Sequence, residues 1–370
     1  LASCLDSRGR ESRGSARGGA AEPQDRRPAR RSQRGWNPWR ASDQKSTRKP
    51  IATFTSSWIR LGSPIPGLHS QNHRILALVL TIAMAASRPA LISPADASGV
   101  ARLIASEACK KVSFLTGAGI SVAAGIPDFR SPGGMYATLP ADKLTCSDKE
   151  KSMFKQEPML VVDKAIFTNN AFPYLEVRRP FILGSIRKQW KPTIAHWFAR
   201  LLHDHGKLGT VYTQNIDGLD FHVGLPDEKI VPVHGSIGRV ECEACGEPHD
   251  AKLFAQQVQT SIKDIYNLDP TAPKESSPIP CTRCGKPQVK PSTVLFGSSL
   301  PRLFFDRTDK ELPGLDLLII AGTSLQVSPA NSVAAQVSCP RVLINRDAVG
   351  TELGLRFAPK GGGGGGGGFY

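Results

Sequence analysis

The sequence predicts an α/β fold on a mostly parallel sheet, interrupted by a small inserted module. Three observations carry that expectation. Short apolar strands alternate with helix-patterned stretches, as a parallel sheet with crossover helices requires. One of those strands, 315–321, is continuously apolar from Leu317 onward, the pattern of a strand covered on both faces. Two CxxC pairs, Cys242/Cys245 and Cys281/Cys284, then break the rhythm.

Taken in order, residues 94–110 have helical spacing through Val100, Leu103, Ile104 and Ala108, with Ser93 and Asp96 near the start as caps. KVSFLT at 111–116 is a strand running into Gly117. Residues 131–190 contain several prolines and read as short helices. A helix is expected over 193–205, and strands over 210–213, 230–233, 292–296, 315–321 and 341–344. Another helix is expected over 328–337. Residues 255–278, with Lys, Pro and Ser, read as a loop that lengthens the cysteine spacer at modest entropic cost. The eight glycines of 361–368 cannot form a core element.

Charge is unevenly placed. The 370 residues carry 47 Lys and Arg against 32 Asp and Glu, a net of +15. Residues 1–83 hold 15 basic and 5 acidic residues, so ten of the fifteen excess charges lie there. That segment is rich in Arg, Ser, Gly and Pro without apolar periodicity and is expected to be disordered. Met84 opens a stretch that reads like an ordinary protein start. Residues 1–83 are therefore read as an upstream extension, either a targeting leader or sequence ahead of the true start. The modest +5 on the remainder argues against nucleic-acid binding by the foldable part. The longest largely apolar stretch, 75–86, has 12 residues including Thr81, whereas a spanning helix takes about 17–25. No membrane partner is expected. Of eight cysteines four form CxxC pairs and four are scattered, which favours a reducing compartment and one metal site over a disulfide framework.

The chemistry-bearing motifs follow strands. Gly117-Ala118-Gly119 opens a turn continuing to Gly125 and then Pro127-Asp128-Phe129-Arg130. Glycines there let the backbone approach a pyrophosphate. The third glycine comes six residues after the second, so the dehydrogenase fingerprint G-x-G-x-x-G is not met. Gln214-Asn215-Ile216-Asp217 ends a strand and offers hydrogen bonds to ribose hydroxyls and an amide; a ligand-free Asn/Asp turn is the alternative. His234-Gly235 follows another strand, and a histidine at that place suits a general base, against the alternative of a structural histidine. The two CxxC pairs supply four thiolates, a usual tetrahedral Zn²⁺ set, and leave no open position, so the site is expected to be structural. Gly322-Thr323-Ser324 and Asn345-Arg346-Asp347 end two further strands at what should be the same sheet edge.

The set resembles the sirtuin family of NAD-dependent protein lysine deacylases, with a class I-like pattern. The carriers are GAGISVAAGIPDFRSPGG, KPTIAHWF, YTQNIDGL, VHGSI, the CxxC pairs, VKPSTVLFG, AGTSLQVSPA and LIN, in this order over about 91–347. The resemblance implies a Rossmann-like large domain, a helical and cofactor-loop insert at 131–190 and a zinc-binding module at 238–290, with 348–370 as a Gly-rich tail. It implies NAD and one structural zinc held by Cys242, Cys245, Cys281 and Cys284. Gly117, Ala118, Gly119, Ala123, Asp128, Phe129 and Arg130 would hold phosphates and the nicotinamide ribose. Gln214, Asn215, Ile216 and Asp217 would shape the ribose and nicotinamide pocket. Gly322, Thr323, Ser324, Asn345 and Arg346 would lie on the adenosine side. Val294, Leu295, Phe296 and Gly297 would pair with the substrate backbone.

The resemblance further implies that His234 acts as general base, with Asn215 beside it, and that acetyl groups leave lysine as O-acetyl-ADP-ribose with release of nicotinamide. Acetylated lysine peptides, histone tails among them, are the implied partners. Desuccinylating members carry Y-x-x-R; here Tyr136 is followed by Ala137, Thr138 and Leu139, which favours neutral acyl groups. Departures from the family pattern are a cofactor loop one residue shorter, Ser292 and Ser298 where Asp and Glu are frequent, a long cysteine spacer, and an end before the family's last segment. Mono-ADP-ribosyl transfer on the same NAD site, and a zinc-ribbon binding module with an inactive NAD site, are the competing readings. A nuclear or cytoplasmic location is expected, or a mitochondrial or plastid one if 1–83 is a leader.

Overall fold

The centre of the fold is β1 (Val112–Thr116), a five-residue strand buried at every position. The computed structural model describes residues 92, 94, 96–128 and 133–357, with the backbone of 368–369. The extension 1–83 and the residues Ser93, Phe129 and Arg130 lie outside the described residues.

On one side β1 pairs in parallel with β2 (Leu208–Thr213), and β2 with β3 (Ile230–Pro232). On the other side β1 pairs in parallel with β7 (Leu317–Ala321), and β7 with β8 (Arg341–Asn345). A two-residue strand, β9 (Gly368–Phe369), lies antiparallel on β8. The chain runs outward from β1 through β2 and β3 and later resumes on the opposite flank at β7. This reversal opens a crevice beyond the carboxyl ends of β1 and β7, where ligands bind in such sheets.

Helices cover both faces. Val112, Phe114, Val211, Leu317 and Ile319 pack with α1 (Ala97–Ala105) and α5 (Ile194–Asp204). Leu115, Tyr212, Leu318, Ile320 and Leu343 pack with Phe304 of α8 (Arg302–Glu311) and Val333 and Ala334 of α9 (Val333–Gln336). The near-continuous burial of β7 is the two-sided cover that its apolar run requires. Helix α1 is shorter than its spacing implies. Asp96 caps its start, and Ser106 ends it by turning extended. Lys110 and Lys111 are then held by their N–H groups on Asp316, both at 2.8 Å.

A second hydrophobic core joins the segments between the sheet strands. It combines α2 (Asp148–Gln156), α3 (Lys164–Asn169), α4 (Phe172–Ile186) and a three-stranded antiparallel sheet ordered β5-β4-β6. These strands are β4 (Gly235–Cys242), β5 (Pro248–His249) and β6 (Val289–Thr293). The expected strand at 292–296 is thus shifted three residues earlier. Register explains it, because Cys242 pairs with Val289 and Gly235 with Thr293. Val294–Phe296 leave that ladder and attach elsewhere.

The expected loop 255–278 is also corrected. It begins inside α7 (Ala251–Ser261), capped by Asp250, whose carboxylate accepts the Leu253 N–H at 2.7 Å. Phe254 and Val258 of α7 enter the shared core. The remainder is tied down by buried charges on α4. Arg179 donates to the Ile262 carbonyl at 2.8 Å, the Gln259 carbonyl at 3.1 Å and Asp269 at 2.7 Å. Glu176 accepts from Ser276 at 2.6 Å and from the Thr145 N–H at 2.9 Å. The expected helix at 328–337 is a 3₁₀ turn, Ala330–Ser332, running into the four-residue α9. Among the described residues no helix is long and apolar enough to cross a membrane.

Removing Arg179 leaves the Ile262 and Gln259 carbonyls and the partly exposed Asp269 without their donor, and hydrogen bonds to charged groups contribute about 1.5–3 kcal/mol each. Arg179→Ala should lower the thermal midpoint by several degrees, and limited proteolysis should then cut first within 262–278. An unchanged melt would show that this anchor contributes nothing.

Candidate active site and metal centre

Two turns interlock beyond the ends of β1 and β7. The Gly117 N–H donates to the Ala321 carbonyl at 3.0 Å and the Gly119 N–H to the Gly322 carbonyl at 2.8 Å. The contact is too close for side chains. A Cβ on Gly119 would stand 2.7 Å from the Gly322 Cα, and one on Gly322 would stand 2.4 Å from the Ile120 nitrogen. Gly322 also has φ +61°, the left-handed region open to glycine. From this lock the chain enters a 3₁₀ helix, Ala118–Ala124, closed by Gly125. Gly119 and Ala123 on this turn, and Ser324 on the facing one, are exposed at the mouth.

Gln214 ties the pieces together. Its side chain donates to the Thr116 carbonyl at 3.3 Å and to the Thr323 hydroxyl at 3.0 Å. Its own carbonyl accepts from Nδ1 of His234 at 3.0 Å. Asn215 is buried and donates to the Gly117 carbonyl at 3.1 Å and the Ser121 hydroxyl at 3.3 Å. The Ser121 hydroxyl donates in turn to Asp217 at 2.7 Å, and Asp217 also accepts the Leu219 N–H at 2.9 Å. Ile216 is buried, and its carbonyl accepts the Ile237 N–H at 2.8 Å, linking this loop to β4.

His234 stands at the junction between the two cores. The hydrogen bond to Gln214 makes Nδ1 the protonated nitrogen and leaves Nε2 as the acceptor. Burial lowers its pKa below the ordinary histidine value, with the Gln214 carbonyl opposing, so the ring is neutral at pH 7. Gly235 beside it is obligatory: a Cβ there would lie 1.8 Å from the Ser292 carbonyl oxygen. The His234 carbonyl accepts the Val294 N–H at 2.9 Å, which starts the segment 294–297 under the histidine. Leu295 is buried. Phe296 is exposed, but its N–H donates to the Val162 carbonyl at 3.0 Å and its carbonyl accepts the Lys164 N–H at 2.9 Å.

The remaining expected positions are more loosely connected. Asp128 accepts the Met135 N–H through its backbone carbonyl at 3.1 Å. Asn345 and Arg346 end β8 with local bonds, Asn345 to the Asp347 carbonyl and Arg346 to the Asp347 carboxylate. Phe129 and Arg130 lie outside the described residues. Ser121 was not among the residues singled out from the sequence, although it sits within the glycine-turn motif and faces both Asn215 and Asp217. The signal available was a single polar residue in an otherwise small and apolar turn. These buried amide and carboxylate groups, with small residues at the mouth, are a set of donors and acceptors that fits a dinucleotide.

The four cysteines converge. Their sulfurs all lie within 4.8 Å of one another, and the Cys242–Cys284 and Cys245–Cys281 pairs are each 3.7 Å apart. A disulfide needs about 2.0 Å. Four sulfurs about 2.3 Å from a central zinc would be separated by about 3.8 Å in a tetrahedron. Two matching knuckles hold them. The Gly246 N–H donates to the Cys242 carbonyl at 2.8 Å, and the Gly285 N–H to the Cys281 carbonyl at 2.9 Å. Both glycines are left-handed, with φ +70° and +71°. Arg283 bridges the knuckles, donating to Glu247 and to the Cys245 carbonyl, each at 3.1 Å.

Residues 117–329 match the Sir2 family. The chain is 36% identical over 289 residues to the NAD-dependent protein deacetylase sirtuin-2 of Danio rerio, covering 75% of this chain and 68% of that protein. It is 37% identical over 254 residues to the NAD-dependent deacetylase sir2A of Dictyostelium discoideum, covering 68% of this chain and 44% of that protein. To the NAD-dependent protein deacetylase sirtuin-3 of Mus musculus it is 37% identical over 260 residues, covering 68% of this chain and 66% of that protein.

Metal analysis of the purified protein should find one zinc per chain. Cys245→Ser should lose it and melt at a lower temperature, because structural zinc sites contribute folding energy directly. Zinc retained at full occupancy in that variant would remove Cys245 from the ligand set.

Proposed function

From the premise that the chain belongs to the Sir2 family, we propose that it removes acetyl groups from protein lysine side chains in an NAD-dependent reaction, yielding nicotinamide and O-acetyl-ADP-ribose. One observation supports this above the others: Gln214 joins the cofactor turns to His234, so a nucleotide bound in the crevice meets a neutral base with a defined acceptor nitrogen. We assign residues 91–347 as the catalytic region, with 131–190 and 238–290 as its inserted parts.

Bound NAD supplies an activated bond between nicotinamide and ribose. Gly117, Ala118, Gly119 and Ala123 present the phosphate-binding turn, with Asp128, Phe129 and Arg130 continuing it. Gln214, Asn215, Ile216 and Asp217 orient the ribose and nicotinamide side. Thr323, Ser324, Asn345 and Arg346 serve the adenosine side. His234 accepts a proton from a ribose hydroxyl at Nε2, while Nδ1–H stays on the Gln214 carbonyl. Val294–Gly297 hold the substrate main chain. Phe296 already spends its N–H and carbonyl on 162–164, and Val294 its N–H on the His234 carbonyl, so the substrate pairs with the Val294 carbonyl and with Gly297 instead. Leu139, three residues after Tyr136, offers no cation for an acidic acyl group, which fits acetyl and other neutral groups. Zinc at the four cysteines is structural.

The substrates proposed are acetylated proteins, with histone tails as one class and no role for nucleic acid or membrane in the catalytic region. A nuclear or cytoplasmic site of action fits this, or a mitochondrial or plastid one if residues 1–83 act as a leader.

Incubation with an acetylated histone-tail peptide should release nicotinamide and deacetylate the peptide only when NAD is added. Transfer of label from NAD to protein without deacetylation would favour ADP-ribosyl transfer instead. His234→Ala should lower the rate by about 10²-fold or more while leaving zinc content unchanged. The base must be neutral, so kcat/KM should fall as pH drops through the His234 pKa, which burial places below the ordinary 6.5. An acid limb centred above 6.5 would argue against His234 as the base.

A further inference from the structure

A second carboxylate lies behind the cofactor loop. Asp220 is in the four-residue α6 (Leu219–His222), three positions after Asp217 and equally sequestered, with 2% of its surface exposed. Among the described residues no lysine, arginine or histidine lies within ion-pair distance of it. Its side-chain partner is Thr213 at the end of β2. The Thr213 hydroxyl accepts the Asn215 N–H at 3.2 Å and so has its own proton to donate to Asp220. Asp220 therefore connects through Thr213 to Asn215, and Asn215 connects through Ser121 to Asp217, a chain of polar groups around the strand end with a carboxyl at each terminus.

We propose that Asp220 is a positioning residue that must be protonated for the Asn215–Asp217 loop to hold NAD, so that NAD binding weakens as Asp220 ionises. The proposal rests on the NAD-dependent reading of the site. A buried carboxyl without a cation, next to another carboxylate, favours its neutral form. Burial first, and Asp217 second, push the Asp220 pKa up to about 7 against the Thr213 hydrogen bond, which lowers it. The neighbouring imidazoles do not neutralise the pair. His196 of α5 faces Asp217, and its Nδ1 accepts the Thr193 N–H at 3.1 Å. Burial depresses the pKa of His196, and burial together with Lys188 and Lys191 depresses that of His222. On the alkaline side two adjacent buried carboxylates would repel each other and displace Asp217 from its bonds to the Ser121 hydroxyl and the Leu219 N–H.

The stability sign follows. The folded pKa lies above the unfolded value of 3.8, so the folded state binds the extra proton and Asp220 costs stability progressively as pH rises from about 4 to about 7. The test is the dissociation constant of NAD measured by calorimetry on the full chain from pH 6 to 9, with Asp220→Asn and Asp220→Ser as permanently neutral variants. The wild type should lose affinity about tenfold per pH unit above 7, the slope of a single required proton. Both variants should bind with little dependence on pH. The melting point of D220N should exceed that of the wild type by an amount that grows from pH 4 to 7 and then levels. A flat wild-type profile, or variants that keep the wild-type slope, would overturn the proposal. Absence of NAD binding at pH 6 would instead overturn the functional reading on which it rests, while the melting comparison would still report on Asp220.

Discussion

The close approach of two backbone turns governs this structure. Gly117 and Gly119 after β1 meet Gly322 after β7 at distances that admit no Cβ. Parallel pairing of β1 with β7 brings the two turns side by side, and the glycines let them fit. Everything in the crevice is referenced to that contact. Gln214 spans it through Thr116 and Thr323, Asn215 hangs from the Gly117 carbonyl, and His234 is oriented by the Gln214 carbonyl. A displacement of a few tenths of an ångström at the lock would reach the histidine through one residue.

Features that depend on local periodicity were legible in the sequence. The strand at 317–321 carries a continuous apolar run because it is covered on both faces, and those at 112–116, 208–213 and 341–345 are short and β-branched or apolar at their centres. The helix at 194–204 emerges within a residue of its expected ends, since Thr193 closes its start. The glycine turn, the polar strand end and the four thiolates were legible because few side chains do those tasks.

The rest was hidden for identifiable reasons. Helix α8 has only Phe304 and Thr308 buried among many charges, so its apolar stripe is too thin to read. Strand β4 is irregular between Ser236 and Val240, which destroys a period of two. The fate of 255–278 depended on Glu176 and Arg179, two charges buried in a helix where sequence logic places them at the surface. Buried charge is dictated by a partner far away in the chain, and no local pattern announces it. For the same reason Ser121 became visible as a site residue only once Asn215 and Asp217 were seen to face it.

The spacing of the two cysteine knuckles has a consequence for biosynthesis. Cys245 and Cys281 are 36 positions apart. At about 5–20 residues per second, the first pair of thiols would wait about 2–8 s on the ribosome before Cys284 completes the second pair. During that interval two thiols alone cannot close a four-sulfur cage. The α4 charges that anchor the intervening segment are made before it, so the spacer can be folded back as it emerges.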